Sequence, residues 1–165
     1  MKMRELTAYH ITLRAYGTWL HGDERGSVDK ANSRFGDPVL EPQRGYEKAM
    51  RGAMTSKPFR FNKSQRQLLE AAIEEVTKYR NWHLAALAVR TNHIHIVVGA
   101  EATPEKVAGD FKSYGTRALR RAGLPHEQNV WSEHGSNTYL FDALSYEAAV
   151  NYVLEQQGEG LDDLD

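Results

Sequence analysis

Seven residues, Asn92-His93-Ile94-His95-Ile96-Val97-Val98, constrain the fold of this chain more than any other stretch. The β-branched run reads as a buried strand, and a strand sends residues two apart to the same face. His93 and His95 therefore point the same way. Two imidazoles aimed at one spot suit a metal ion or a phosphate, and an ordinary half-exposed strand end accounts for the pair equally well. The rest of the chain has to decide between these readings.

Length and composition frame the choice. With 165 residues, 41% hydrophobic and 26% charged, the chain suits one globular domain that buries a core without disulfides or structural metal. The polar start from Met1 to Thr7 gives no sign of a signal peptide, and no stretch approaches the roughly 20 apolar residues of a membrane helix. A cytoplasmic protein with no membrane partner is expected. The lack of cysteine fits a reducing compartment and excludes thiol catalysis, disulfides and cysteine-bound zinc. Any metal site must use nitrogen and oxygen donors.

The net charge of −1 conceals an uneven distribution. Setting aside Glu159, Asp162, Asp163 and Asp165, which crowd the C-terminus without a basic neighbour, leaves +3 on the remainder. Cations gather in two runs: Lys57, Arg60, Lys63 and Arg66, then Lys112, Arg117, Arg120 and Arg121. A local basic face matters more to a polyanion than the total, although any single run is equally a solvated helix face.

Leu6 to Ala15 is rich in aromatic and β-branched residues and predicts a first strand. Glycines and prolines then interrupt every pattern, so 17–56 reads as a long Gly-rich insertion with a short helical turn at Tyr46–Met54. Asn62 or Ser64 opens a helix carrying Leu68, Leu69, Ala72, Ile73 and Val76 to about Arg80. Trp82–Arg90 reads as a strand despite helix-prone alanines, paired with the histidine strand across Thr91-Asn92. Thr103-Pro104-Glu105 starts a helix to about Arg121 with Val107, Phe111 and Leu119 on one side. One or two strands lie within Asn129–Phe141, and Ser145 caps a last helix ending near Gln157-Gly158. The order β-α-β-β-α-β-α predicts an α+β, ferredoxin-like antiparallel sheet with helices packed on one face. One domain spans 1–158, followed by an acidic tail at 159–165.

The last helix supplies the second half of a site. Tyr152 and Gln156 are four residues apart and share a helix face, with Val150, Val153 and Leu154 available for the apolar side. Taken alone, Tyr152 is equally a packing aromatic and Gln156 a solvated amide.

In combination these pieces resemble the single-tyrosine HUH transposases of small insertion sequences and the related REP-associated tyrosine transposases. "AYHITLRAYGTW" is similar to the family's first strand, "TNHIHIVV" to its histidine-hydrophobic-histidine motif and "DFKSYGTRALRR" to its basic helix. "VWSEHGSNTYLF" followed by "AAVNYVLEQQ" is similar to its tryptophan strand and to a helix with tyrosine and, four residues on, glutamine. The Gly-rich segment is longer than the family's minimal core.

The resemblance implies metal ligation by His93, His95 and Gln156, with Tyr152 as nucleophile. Phosphodiester cleavage needs an in-line nucleophile and positive charge at the non-bridging oxygens, which a divalent cation supplies. Two neutral imidazoles and an amide suit Mg²⁺ or Mn²⁺. A phenol is little ionised at neutral pH, so its attack needs help from nearby positive charge or a base. The implied product is a 5′-phosphotyrosyl DNA with a free 3′-hydroxyl, on a single-stranded or hairpin substrate, made by a homodimer. Lys112, Arg117, Arg120 and Arg121 are the candidate phosphate contacts, with Arg60 and Lys63 secondary. Trp19, Tyr16 and Tyr114 are candidates for base stacking as much as for packing.

Tyr114, on the basic helix, and Tyr146, early in the last helix, compete for the nucleophile role, but neither has a companion ligand one turn on. His21, Asp23 and Glu24 make a weak second metal cluster. His83, His126 and His134 lack partner spacing, and His10 borders the sheet surface of the site. Two rival functions remain: a domesticated, non-catalytic DNA-binding regulator, and a hydrolase using metal-bound hydroxide.

Overall fold

β1 (Thr7–Arg14) alternates Tyr9, Ile11 and Leu13, all buried, with His10, Thr12 and Arg14, and so presents one apolar and one polar face. The structure is a computed structural model that describes residues 5–17, 57–133 and 135–155. The Gly-rich segment from 18 to 56, its expected turn at Tyr46–Met54, the His21/Asp23/Glu24 group, Trp19, His134, Gln156 and the acidic tail lie outside the described residues.

α1 (Lys63–Arg80) begins at Asn62, whose side chain accepts from the Gln65 N–H at 2.8 Å while Gln65 Oε1 accepts from the Asn62 N–H at 2.9 Å. That reciprocal pairing settles the start between the two expected caps. The helix stops at Asn81, which takes a left-handed φ of 59°. β2 (His83–Val89) and β3 (His93–Ala100) form the expected hairpin, and α2 (Pro104–Arg121) starts with the Thr103 cap and proline as expected. β4 (Ser136–Leu140) and α3 (Ala143–Glu155) complete the described chain. α3 starts differently from expectation: the Asp142 carboxylate accepts the Ser145 N–H at 2.7 Å, so Asp142 caps the helix and Ser145 lies inside it.

The sheet is antiparallel throughout in the order β2-β3-β1-β4. Two split β-α-β units interleave, β3 lying between β1 and β2 and β1 between β3 and β4, which is the ferredoxin-like arrangement. Ala15 adds a bridge to Trp131, the first part of the Asn129–Phe141 region to reach the sheet.

α1 and α2 cover one face. Tyr9, Ile11, Leu13, Ile94, Ile96 and Val98 pack there against Leu69, Ile73, Val76, Val107, Phe111 and Leu119. Each such side chain contributes on the order of 1.5–3 kcal/mol by leaving water. The expectation of all helices on one face holds for α1 and α2 only. α3 lies on the other face, where Ala149 and Val153 meet Ala86 and Val97. Its contact is small because β2 offers Ala85, Ala86 and Ala88 there.

Gly115 sets how closely α1 and α2 approach. A Cβ at this position would stand 2.9 Å from Leu69 Cδ2 and 3.0 Å from Trp131 Cζ2. Trp131 cannot easily retreat, since its indole N–H donates to Thr116 Oγ1 at 2.9 Å and Lys112 O at 3.1 Å. Gly115→Ala is therefore expected to cost about 1–3 kcal/mol through overpacking, net of its better helix propensity. A urea midpoint equal to or above wild type would contradict this account.

Candidate functional site

The polar face of the sheet, beneath α3, gathers the histidines. His93 and His95 are on β3, and register places Arg14 opposite His93 and Thr12 opposite His95. The two rings stand 4.9 Å apart, centroid to centroid, at 81°. His93 Nδ1 lies 2.6 Å from Asn92 Oδ1. An amide oxygen can only accept, so Nδ1 carries a hydrogen.

His95 is only 8% exposed. Its Nδ1 lies 3.1 Å from both Thr12 Oγ1 and His10 Nε2. Burial first, then the charges of His93, His10, Arg14 and Arg90, hold its pKa down at about 3. Burial lowers that of His10 too. Both imidazoles are thus neutral at pH 7, the state a metal ligand requires.

α3 brings Tyr152 over this group. Its ring centroid is 5.4 Å from His95 at 88° and 5.9 Å from His10. The tyrosine remains 41% exposed, within reach of a substrate. The helix seats itself through Ala149 and Val153, with Val150 at the margin, whereas Leu154, expected on the apolar side, is 61% exposed. The competing tyrosines are elsewhere: Tyr114 packs against the core from α2, on the opposite face, and Tyr146 packs beside Ala149 and Val97.

The donor set fits a cation in part. Two imidazoles share a face, the buried one, His95, neutral, and His95 has the outer hydrogen bonds that usually orient a ligand histidine. His10 meets His95 on the Nδ1 side of that ring. Among the described residues no three His, Cys, Asp or Glu side chains converge as a metal cluster, and Gln156 lies outside them.

The basic residues divide. Arg120 donates to the carbonyls of Pro125 and, at 2.8 Å, Gln128, so it braces the loop after α2. Lys112 Nζ lies 3.4 Å from Ser132 O, and the Ser132 N–H donates to Arg14 O, which puts this lysine at the His93 end of the sheet. Arg60, Lys63, Arg117 and Arg121 are exposed, Arg117 lying 5.3 Å over the Tyr114 ring. Arg121→Ala is accordingly expected to weaken DNA binding and lower its salt dependence with little change in stability, whereas Arg120→Ala lowers stability. Salt-titrated binding isotherms and thermal unfolding separate the two, and equal effects of both on stability would refute the division.

Sequence reasoning passed over Arg14 and Arg90, whose charges both act on His95. Arg14 was discoverable, since it stands two residues beyond Thr12 on the face that carries His10. From sequence, Gly135 reads only as a point of flexibility before the last helix; a Cβ there would lie 2.5 Å from Thr12 O, so only glycine lets the lead-in to β4 pass this close.

Residues 54–155 match the family described as "Transposase IS200 like". Among solved structures, the chain is similar to a REP-associated tyrosine transposase bound to a REP hairpin, with 15% identity, a TM-score of 0.52, and coverage of 93% of this chain and 69% of that one. It is also similar to a proposed transposase from Deinococcus radiodurans R1, with 16% identity, a TM-score of 0.46, and coverage of 97% of this chain and 99% of that one. No curated protein sequence matches. At such identities the likeness to the REP-bound structure is one of fold.

Proposed function

We propose, from the premise that this chain belongs to the family of IS200-like transposases, that it cleaves and rejoins single-stranded DNA through a covalent bond to Tyr152. The observation that carries this reading is the meeting of Tyr152 with His95, 5.4 Å between ring centroids, within a single chain. A pure DNA-binding regulator has no use for a phenol placed against two neutral imidazoles.

In the forward step the Tyr152 oxygen attacks phosphorus as the phenol gives up its proton. The new oxygen–phosphorus bond replaces the bond to the 3′-oxygen, which departs and gains a proton as a 3′-hydroxyl. A second 3′-hydroxyl reverses the step and releases the phenol, so strands join without ATP. His93, His95 and Gln156 would hold a divalent cation, Mg²⁺ or Mn²⁺, which would supply positive charge at the phosphoryl oxygens. Arg14 and Arg90 add fixed positive charge beside His95. Lys112, at the His93 end of the sheet, is placed to hold the strand entering the site, with Arg117 and Arg121 as outlying phosphate contacts.

The substrate proposed is single-stranded or hairpin DNA, the solved relative being bound to a REP hairpin. A homodimer belongs to the proposal, each copy bringing Tyr152 to its own histidine pair. No described helix is long and apolar enough to cross a membrane.

The test is to incubate labelled hairpin-bearing single-stranded DNA with the protein and Mn²⁺, denature, and look for a protein–DNA adduct. An adduct supports the transposase reading. Cleavage without an adduct would instead mean hydrolysis, and binding without cleavage a regulator.

A further inference from the structure

His95 poses a problem that His93 does not. Asn92 Oδ1 can only accept, so it fixes a hydrogen on His93 Nδ1, but both neighbours of His95 Nδ1 are ambivalent. A threonine hydroxyl donates or accepts by rotating, and an imidazole nitrogen does either according to where its own proton sits. If His10 Nε2 carried a hydrogen, His95 Nδ1 would have to accept it, and the His95 proton would occupy Nε2. That arrangement removes the lone pair a cation needs. If His10 Nε2 is bare, it accepts from His95 Nδ1–H, and the lone pair of the neutral His95 ring lies on Nε2, on the other side of the ring.

The sheet makes this encounter unavoidable. His10 pairs in register with Val97 and Thr12 with His95, so His10 and His95 are diagonal neighbours on one face. The His10 ring also lies 5.9 Å from that of Tyr152, which confines it between the ligand histidine and α3.

We infer that His10 is a positioning residue: its bare Nε2 accepts the His95 Nδ1 hydrogen and thereby turns the Nε2 lone pair of His95 toward the cation. The inference rests on the metal reading proposed above. It assigns His10 no contact with the reacting atoms. Outer partners of this kind typically change metal affinity about 10–100-fold when removed.

The test has two readouts on the full chain. Long-range ¹H–¹⁵N correlation of the metal-free protein, ¹⁵N-labelled at histidine, reports which nitrogen of His95 carries hydrogen. Titration with Mn²⁺ alone reports affinity. Wild type is expected to show His95 as the Nδ1–H form. His10→Ala is expected to populate the Nε2–H form and weaken Mn²⁺ binding about 10–100-fold, and His10→Gln, whose amide oxygen can accept, to recover most of both. An Nε2–H His95 in wild type would overturn the inference, and so would an Ala variant with unchanged tautomer and affinity, or a Gln variant no better than Ala. The wild-type spectrum can refute it even if the Ala variant does not fold. Wild type that binds no Mn²⁺ sinks the metal reading instead, with the tautomer still deciding for or against His10.

Discussion

Tyr152→Phe is expected to abolish the covalent protein–DNA adduct and to lower strand cleavage on the order of 10³-fold or more, while fold and DNA binding survive. The substitution removes one atom, the attacking oxygen, and keeps the ring that packs beside His95 and His10. The side chain is 41% exposed and α3 is anchored by Ala149 and Val153, so the thermal midpoint should stay within a few degrees of wild type. The comparison therefore isolates chemistry from stability. A denaturing gel on labelled single-stranded DNA with Mn²⁺ reads the adduct directly. If the Phe variant still forms one, the nucleophile lies elsewhere, with Tyr114, packed against the core on the far face, and Tyr146, on α3 beside Ala149 and Val97, the next to be tested.

Where side-chain pattern governs backbone choice, the fold was legible. The Asn62 cap, the Thr103-Pro104 start and the alternation through His93–Val98 each follow from local rules, and the structure obeys them. Leu84-Ala85-Ala86-Leu87-Ala88-Val89 was harder, because its leucines are three apart and suggest a helix. The reason is a register shift between Leu84 and Ala86: Leu84, Leu87 and Val89 face α1 and α2, while Ala85, Ala86 and Ala88 face α3. A bulge disguises period two as something longer. The opposite placement of α3 was not legible from element order, which fixes neighbours in a sheet but not the face a terminal helix chooses. The alanines of β2, together with Val97, were the available clue.

The site was legible as residue types and not as surroundings. His93 and His95 share a face because strand alternation acts over short range, and Tyr152 joins them through the packing of Ala149 and Val153 on Ala86 and Val97. The role of Arg120 was not visible, since its carbonyl partners are defined only once the loop after α2 has folded back. His10 was placed only at the border of the site, and its hydrogen bond to His95 depends on a strand pairing 85 residues apart in sequence. Arg14 and Arg90 enter through the same long-range pairing.

Acidification is expected to destabilise the metal-free protein well above the range where carboxylates protonate. In the unfolded chain His95 titrates near pH 6.5, whereas in the folded protein burial, reinforced by His93, His10, Arg14 and Arg90, holds it at about 3. Between those values the unfolded state binds a proton that the folded state refuses, so stability falls as pH drops from about 6.5 toward 3 and is unaffected above that window. The slope is at most about 1.4 kcal/mol per pH unit from this one group, a large share of a total stability of roughly 5–15 kcal/mol. His10, lowered by its own burial, acts in the same direction. Asp142, which the Ser145 N–H holds below the usual carboxylate range, contributes only at lower pH. Urea unfolding at constant ionic strength from pH 7.5 to 4.5 measures the slope, and His95→Asn, which cannot protonate, should flatten it. An Asn variant as acid-sensitive as wild type would show that His95 is protonated as readily folded as unfolded, and that the imidazole pair is more open to water than its burial implies.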